Sequence, residues 1–328
     1  MNKKTIFILG SNSFSGSNFI KFILKKNFKI IALSRSREAK KEFLAYHSFK
    51  DKIKFFRLDI NNNLKKIELL IKTYRPTYFV NFSSQGMVAQ SWIWPSHWYE
   101  TNVLSQVKLI EILKNYKFIK KYIHFTTPEV YGSTGNKIKE SFNFNPSTPY
   151  AVSRAALDMH LRILNTNYNF PVIFTRAANI YGPYQDLHRI VPKTIISSIR
   201  KKNINLHGGG KSIRSFIYVD DVSSALYKII RKGKIGNSYH ISTNKYVSIK
   251  NLVKLIIKIS GGNYNKLINV SKDRPGKDYK YILDSSKIKK ELKWKDTTKL
   301  EDGIIKTINW VKKNKNLIKH SLEYKHKK

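Results

Sequence analysis

Tyr150 and Arg154 stand four residues apart in Tyr150-Ala151-Val152-Ser153-Arg154, at the start of a segment with helical spacing, so both side chains point to one face. A phenol with a reference pKa of about 10 is poorly suited to take a proton near neutrality. A fixed cation beside it favours the phenolate and makes it a usable base. A second group of reactive residues leaves the end of an apolar run: His124-Phe125-Thr126-Thr127-Pro128-Glu129-Val130-Tyr131-Gly132 sets a hydroxyl at Thr127 and a carboxylate at Glu129 on one turn. A third segment is Gly10-Ser11-Asn12-Ser13-Phe14-Ser15-Gly16, between an apolar run at 5–9 and a helical stretch. Glycine at a strand end permits a tight turn, and small residues let backbone N–H groups approach a pyrophosphate at the helix N-terminus.

These groups need a scaffold. Short apolar runs at 5–9, 29–33, 54–58, 78–82, 122–126 and 172–176 read as strands. Between them apolar residues recur at helical spacing, as in Ile67-Leu69-Leu70-Ile71 and Val103-Leu104-Val107-Leu109-Ile110-Leu113. Strands regularly separated by helices predict an α/β fold, a Rossmann-type doubly wound parallel sheet covered on both faces. After about residue 177 the rhythm breaks at Gly182-Pro183, Gly208-Gly209-Gly210, Gly233, Gly261-Gly262 and Pro275-Gly276, which predicts a smaller mixed lobe. The expected division is a dinucleotide-binding domain over 1–177 that carries the catalytic residues, and a substrate lobe over 178–328, with some chain crossing back.

Composition narrows the function classes. The 328 residues are 41% hydrophobic and 13% aromatic, enough for a real core. Cysteine is absent, which excludes disulfides, a thiolate nucleophile and Cys-ligated metal centres. The nine histidines show no pair at metal-ligand spacing, so no metal site is expected. No apolar run approaches the roughly 18 residues of a membrane span, and the run at 5–9 is too short for a signal-peptide core, so a cytoplasmic protein without an integral membrane segment is expected. The formal net charge of +41 fits either a polyanionic partner or a lysine-rich composition. Lysines are spread along the chain, in pairs such as Lys25-Lys26 and Lys312-Lys313 that suit solvated helix faces, so the charge is read as compositional and no nucleic-acid partner is expected.

The motifs together resemble the extended short-chain dehydrogenase/reductases, and within them the NAD-dependent epimerase/dehydratase family, nearest the dTDP-glucose 4,6-dehydratases. Gly10, Ser13 and Gly16 take the positions of the family's Gly-x-x-Gly-x-x-Gly loop, with serine at the middle glycine. Tyr150 and Arg154 resemble its Tyr-x-x-x-Lys, with arginine for lysine, and 126–132 resembles its Ser-Thr-Asp-Glu-Val-Tyr-Gly. Trp98-Tyr99-Glu100-Thr101-Asn102-Val103, Thr175-Arg176-Ala177-Ala178-Asn179-Ile180-Tyr181-Gly182-Pro183, Arg189-Ile190-Val191-Pro192, Arg214-Ser215-Phe216-Ile217-Tyr218-Val219-Asp220-Asp221-Val222 and Asp273-Arg274-Pro275-Gly276 follow in the family's order.

The resemblance implies a bound nicotinamide dinucleotide held by Gly10, Asn12, Ser13, Phe14, Gly16, Ser34, Arg35, Asp59, Ile60, Tyr150 and Arg154. The family favours NAD. An acid after the second strand would accept from a ribose 2′-hydroxyl, but Ser34 stands there and Arg35 can pair with a 2′-phosphate, so NADP stays open. It implies Thr127 on the sugar 4-oxygen, Glu129 as the base at C5, and Gln85, Asn102, Asn179, Arg189, Arg214 and Arg274 around a nucleoside-diphosphate sugar. Pro128 replaces the family's acid and cannot donate a proton. Ser84-Gln85-Gly86-Met87-Val88 departs from the usual Ala-Glu-Ser-His-Val, which leaves the hexose and base open. The expected reaction is 4,6-dehydration. The alternatives are a 4-epimerase, a uronate decarboxylase, or an inactive basic binding module. Pairing of the helices at 102–114 and 150–164 across a two-fold axis, through residues such as Leu109, Leu113, Leu157 and Leu161, implies a homodimer, although core packing explains the same spacing.

Overall fold

A computed structural model describes residues 3–272 and 280–326. Arg274 and the motif around it lie outside the described residues. Seven parallel strands form the main sheet: β1 (Lys4–Leu9), β2 (Phe28–Ser34), β3 (Lys54–Arg57), β4 (Tyr78–Asn81), β5 (Lys121–Thr126), β6 (Val172–Ala177) and β7 (Ser238–Ile241). Their order across the sheet is β7-β6-β5-β4-β1-β2-β3. Strands such as β4, buried at every position, are largely apolar because helices cover both faces, and its one amide, Asn81, is hydrogen-bonded to Gln106 and Tyr122.

The covering helices are α1 (Phe14–Ile23), α2 (Leu64–Tyr74), α3 (Ser105–Leu113), α4 (Pro149–Tyr168), α5 (Ile190–Ile199), α6 (Val219–Lys232), α7 (Ile249–Ile259), α8 (Ser286–Leu292) and α9 (Leu300–Lys313). One face of the sheet packs Ile6, Ile8 and Ile123 against α1, α6 and α8 through Phe19, Leu226 and Ile288. The other packs Phe7, Phe79 and Phe174 against α2, α3 and α4 through Ile67, Leu109 and Leu157. Helices α5, α7 and α9 enclose a separate core built on Ile195, Ile256 and Ile308. Among the described residues no helix is long and apolar enough to cross a membrane.

The chain does not divide cleanly near 177. Residues 219–241 return to the first domain as α6, which packs on α1, and as β7, which extends the sheet beyond β6. β7 is a four-residue strand, Ser238-Tyr239-His240-Ile241, buried at every position although two of its residues are polar. Two apolar residues in four give sequence periodicity nothing to detect.

One buried charge cluster ties β5, β6, β7 and α4 together. Arg176 on β6 donates to the Asp158 carboxylate of α4 at 2.7 Å, with both side chains fully buried. The other Asp158 oxygen lies 3.0 Å from His124 Nε2 on β5. Arg176 also donates to the Tyr131 hydroxyl at 3.2 Å and to Ser238 Oγ on β7. Burial alone would raise the Asp158 pKa, but Arg176 and His124 outweigh it and hold the carboxylate below its ordinary range. Asp158→Asn leaves Arg176 without its counter-charge, and equilibrium denaturation is expected to show a loss of about 3–5 kcal/mol. Because the folded pKa is depressed, the carboxylate's contribution is present above the unfolded pKa of about 3.9 and is lost as pH falls through the folded value. Wild type should therefore lose more stability than the variant over that acid range.

Candidate active site

The turn after β1 needs glycine at both of its ends. Gly10 has φ +81, and a Cβ there would sit 2.8 Å from the Phe82 carbonyl carbon and the Ser83 nitrogen. At Gly16 a Cβ would sit 2.4 Å from the Gly10 carbonyl oxygen. Ser13 caps α1 by accepting from Gly16 N–H at 3.0 Å, which closes the turn and leaves the first backbone N–H groups of a ten-residue helix near the cavity. Asn12 faces away from this cavity. Its Nδ2 donates to the carbonyls of Ser36 and Arg37 and to Ser36 Oγ, which fixes the loop after β2.

A cavity of about 810 Å³ runs from Ser13, Phe14 and Arg35 past Thr127, Glu129 and Tyr150 to Asn179 and Arg214. A smaller one, of about 390 Å³, holds Asp59, Asn61, Glu100 and Thr101 and shares Arg35 and Gln85 with the first. Ile60 and Ser34 are buried beneath them, and Ile60 belongs to the sheet's core. The expected dinucleotide contacts thus fall in two classes. Gly10, Gly16, Ser13, Phe14, Arg35 and Asp59 form the walls and the turn, whereas Asn12, Ser34 and Ile60 support them from behind.

The reactive groups share the main cavity because β5 and α4 deliver them. Thr127 follows the end of β5 and caps the 3-10 turn Pro128–Tyr131, its hydroxyl accepting from Glu129 N–H at 3.3 Å. Pro128 takes the first position of that turn, where its missing N–H costs nothing. Thr148 caps α4 by accepting from Ala151 N–H at 3.2 Å, which sets Tyr150 and Arg154 in the first turns. Burial pushes the Tyr150 phenol up, opposed by the Arg154 cation, a hydrogen bond with Thr127 and the Arg189 cation, while Glu129 pushes it up further. Arg154 is 2% exposed and donates through one Nη2 to the Phe125 carbonyl at 2.6 Å, while its Nε and Nη1 have no hydrogen-bond partner. A buried guanidinium with two unused donors beside the cavity is the kind of group a ribose hydroxyl can satisfy. Together with the glycine cradle, it fits a nicotinamide dinucleotide.

Asn179 and Arg214 hold the far wall with Tyr281, which sequence reading did not single out. The Tyr281 hydroxyl donates to Asn179 Oδ1 at 3.1 Å, and the Arg214 guanidinium stacks on its ring at 4.3 Å. Tyr281 lies in no recognisable motif, so nothing local marks it. Arg189 is exposed at the cavity mouth, and a Cβ at Gly86 would be 4.0 Å from its Nη2. Asn102 does not reach the cavity. It is fully buried, accepts from Gln85 N–H at 2.7 Å, and donates to the Gln85 carbonyl and to Ser153 Oγ, each at 3.0 Å. Asn102 therefore braces Gln85 from behind the cavity wall. The buried partners His124, Asp158 and Arg176 were also missed, because their pairing crosses three elements.

The family model described as GDP-mannose 4,6 dehydratase matches residues 7–307. The dTDP-D-glucose 4,6-dehydratase of Dictyostelium discoideum is 32% identical, over 95% of this chain and 82% of that protein. A solved dTDP-glucose 4,6-dehydratase of Streptomyces venezuelae, with NAD bound, superposes with a TM-score of 0.88 at 25% identity, over 95% of this chain and 98% of that one. The UDP-glucose 4-epimerase of Thermotoga maritima gives a TM-score of 0.86 at 26% identity, over 94% and 99%.

Removing the Arg154 charge should raise the Tyr150 pKa further. In Arg154→Gln the rise of kcat/KM with pH is expected to move to higher pH, and activity at neutrality should fall by about 10²–10⁴-fold. A profile with an unmoved limb would show that the guanidinium does not act on the phenol. With a glycine-cradled turn, a tyrosine and a buried cation on one helix, and a family model spanning most of its length, this chain belongs to the extended short-chain dehydrogenase/reductases, in the NAD-dependent epimerase/dehydratase family.

Proposed function

We propose that the protein is a nucleotide-sugar 4,6-dehydratase that works with bound NAD and converts a nucleoside-diphosphate hexose to its 4-keto-6-deoxy product. The observation that carries this reading is Glu129. Its carboxylate lines the same cavity as Thr127 and Tyr150 and is close enough to act on the Tyr150 phenol. A 4-epimerase needs the hydroxyl and the phenol but has no use for a carboxylate at C5.

Gly10, Ser13, Phe14 and Gly16 would hold the dinucleotide's pyrophosphate, Asp59 and Arg35 its adenosine end, and Tyr150 and Arg154 the nicotinamide ribose. When bound, the cofactor supplies reversible hydride acceptance at the sugar. Tyr150 takes the proton of the 4-hydroxyl, and Thr127 donates a hydrogen bond to the 4-oxygen as it becomes a ketone. That ketone acidifies the C5 proton, which Glu129 removes as the C6 hydroxyl departs and gives back at C5 when the hydride taken from C4 returns to C6. Pro128 offers the departing oxygen no proton, so it comes from water or from another residue of the wall. Asn179, Arg189 and Arg214 surround the diphosphate end, where guanidinium groups match paired phosphate oxygens.

Two predictions follow from this assignment. Glu129→Gln should still oxidise the sugar at C4 and then stall, so the near-ultraviolet absorbance of reduced nicotinamide accumulates while loss of water slows by about 10²–10⁴-fold. Mass spectrometry of the products decides the reading: wild type should release a sugar nucleotide lighter by one water. An unchanged mass with altered retention would make the protein an epimerase.

The protein is also proposed to be a homodimer. Leu109, Leu113, Leu157 and Leu161, first considered for the two-fold seam, are buried in the protomer's own core. The same helical pair leaves another apolar face uncovered, with Val152, Met159 and Ile163 on α4 and Leu104 before α3. Positions 152, 159 and 163 fall on one stripe of the helix. Light scattering should give a dimer mass for wild type and a monomer mass for Met159→Asp/Ile163→Asp. A monomeric wild type would end the proposal.

A further inference from the structure

Residues 321–326 cross from the second lobe to the mouth of the dinucleotide groove. At their base the Arg200 guanidinium donates to the carbonyls of Ile318 and His320, and Leu322 packs on the core of the second lobe. Tyr324 meets the His188 ring at 5.1 Å and lines the main cavity together with Arg35 and Ser13. His326 then reaches the first domain. Its ring stacks on Trp94 at 4.6 Å and on Trp98 at 5.2 Å, both within 9° of parallel. One ring nitrogen lies 2.9 Å from His97 Nδ1 and the other 3.4 Å from Gln85 Nε2.

The two cavities have Arg35 and Gln85 as their shared wall. A dinucleotide running from Asp59 to Tyr150 has to pass that wall, and Tyr324 and His326 flank it. We propose that residues 321–326 form a strap over the dinucleotide groove, latched by His326 on Trp94, Trp98 and His97, that slows the release of bound cofactor. The proposal rests on the dehydratase reading in one respect. A hydride that returns to the sugar leaves the cofactor as it began, so slow exchange costs no turnover and guards against loss of the cofactor while the sugar is half converted.

The test loads the full-length protein with the reduced dinucleotide, adds excess oxidised dinucleotide, and follows loss of bound nicotinamide fluorescence by stopped flow. His326→Ala removes the latch without touching the groove, and Trp94→Ala removes its stacking partner from the other side. Each should speed release by about tenfold, the factor set by one ring stack with its hydrogen bonds. His326→Phe keeps the stacking and should fall between wild type and His326→Ala. Unchanged release in both alanine variants, with dinucleotide still bound, would overturn the strap and leave the functional reading intact. Faster association with unchanged release would overturn it too, by making the segment a competitor for the groove. A wild-type protein that holds no dinucleotide would overturn both.

Discussion

The carboxylate of Asp158 is the constraint on which the active site depends. It is one helical turn beyond Arg154 on α4, so whatever fixes Asp158 fixes the face that carries Tyr150 and Arg154. Its partners are Arg176, the penultimate residue of β6, and His124 in the second half of β5, only three residues before Thr127. Arg176 reaches on to Tyr131, which closes the turn holding Glu129, and to Ser238 on β7. The catalytic turn, the catalytic helix and three strands are thereby tied through one ion pair. Such a pair is costly to desolvate and gains little net stability over an apolar substitute. Its value lies in geometry, because a misplaced α4 would leave the ion pair broken in a dry interior.

This arrangement also explains how the chain accommodates arginine where the family has lysine. Arg154 brings a second guanidinium into a buried region that already contains Arg176. Its charge cannot be relieved by deprotonation. Asp158 serves as counter-charge to both, and the Phe125 carbonyl takes one of the Arg154 donors. The donors left over belong to Nε and Nη1, so the fork is held on one side and free on the other. The cation therefore acts on Tyr150 from a fixed position, which a flexible ammonium would reach by adjusting its stem.

Much of the scaffold was legible in the sequence because the inner parallel strands, buried on both faces, read as mostly apolar runs, and the edge strand β3 still carries the paired Phe55 and Phe56. Strand β7 was not, since it is short, half polar and satisfied by contacts that only the assembled sheet provides: His240 N–H donates to Glu140 at 2.8 Å and Ser238 receives Arg176. The reactive residues were legible for a different reason. Tyr150 with Arg154, Thr127 with Glu129, and Gly10 with Gly16 each lie within seven residues, so local spacing predicts shared geometry. Asn102 shows the limit of that logic. A polar residue in a cofactor-side motif reads as a contact, but whether it faces the ligand or braces the residue that does depends on packing from Ser153, 51 positions away. Periodicity likewise could not divide the buried Leu109 and Leu157 from the exposed Met159 and Ile163, because a buried and an exposed apolar stripe have the same helical period.

The departures at Pro128 and Gly86 have a common physical consequence. Proline at the first position of the 3-10 turn fixes the backbone that presents Glu129, so the proposed base is held in place while the acid of the motif it resembles is lost. Gly86 stands where the motif it resembles has serine, and a Cβ there would sit 4.0 Å from Arg189 Nη2. That cation acts on Tyr150 in the same sense as Arg154, favouring the phenolate. Against the motifs it resembles, the cavity lacks a proton donor at 128 and a hydroxyl at 86, and it keeps a carboxylate on a rigid turn and two guanidinium groups that act on the phenol. In the proposed mechanism such a site favours the steps that create negative charge, at O4 and at C5, and leaves departure of the C6 hydroxyl as the step its own side chains assist least.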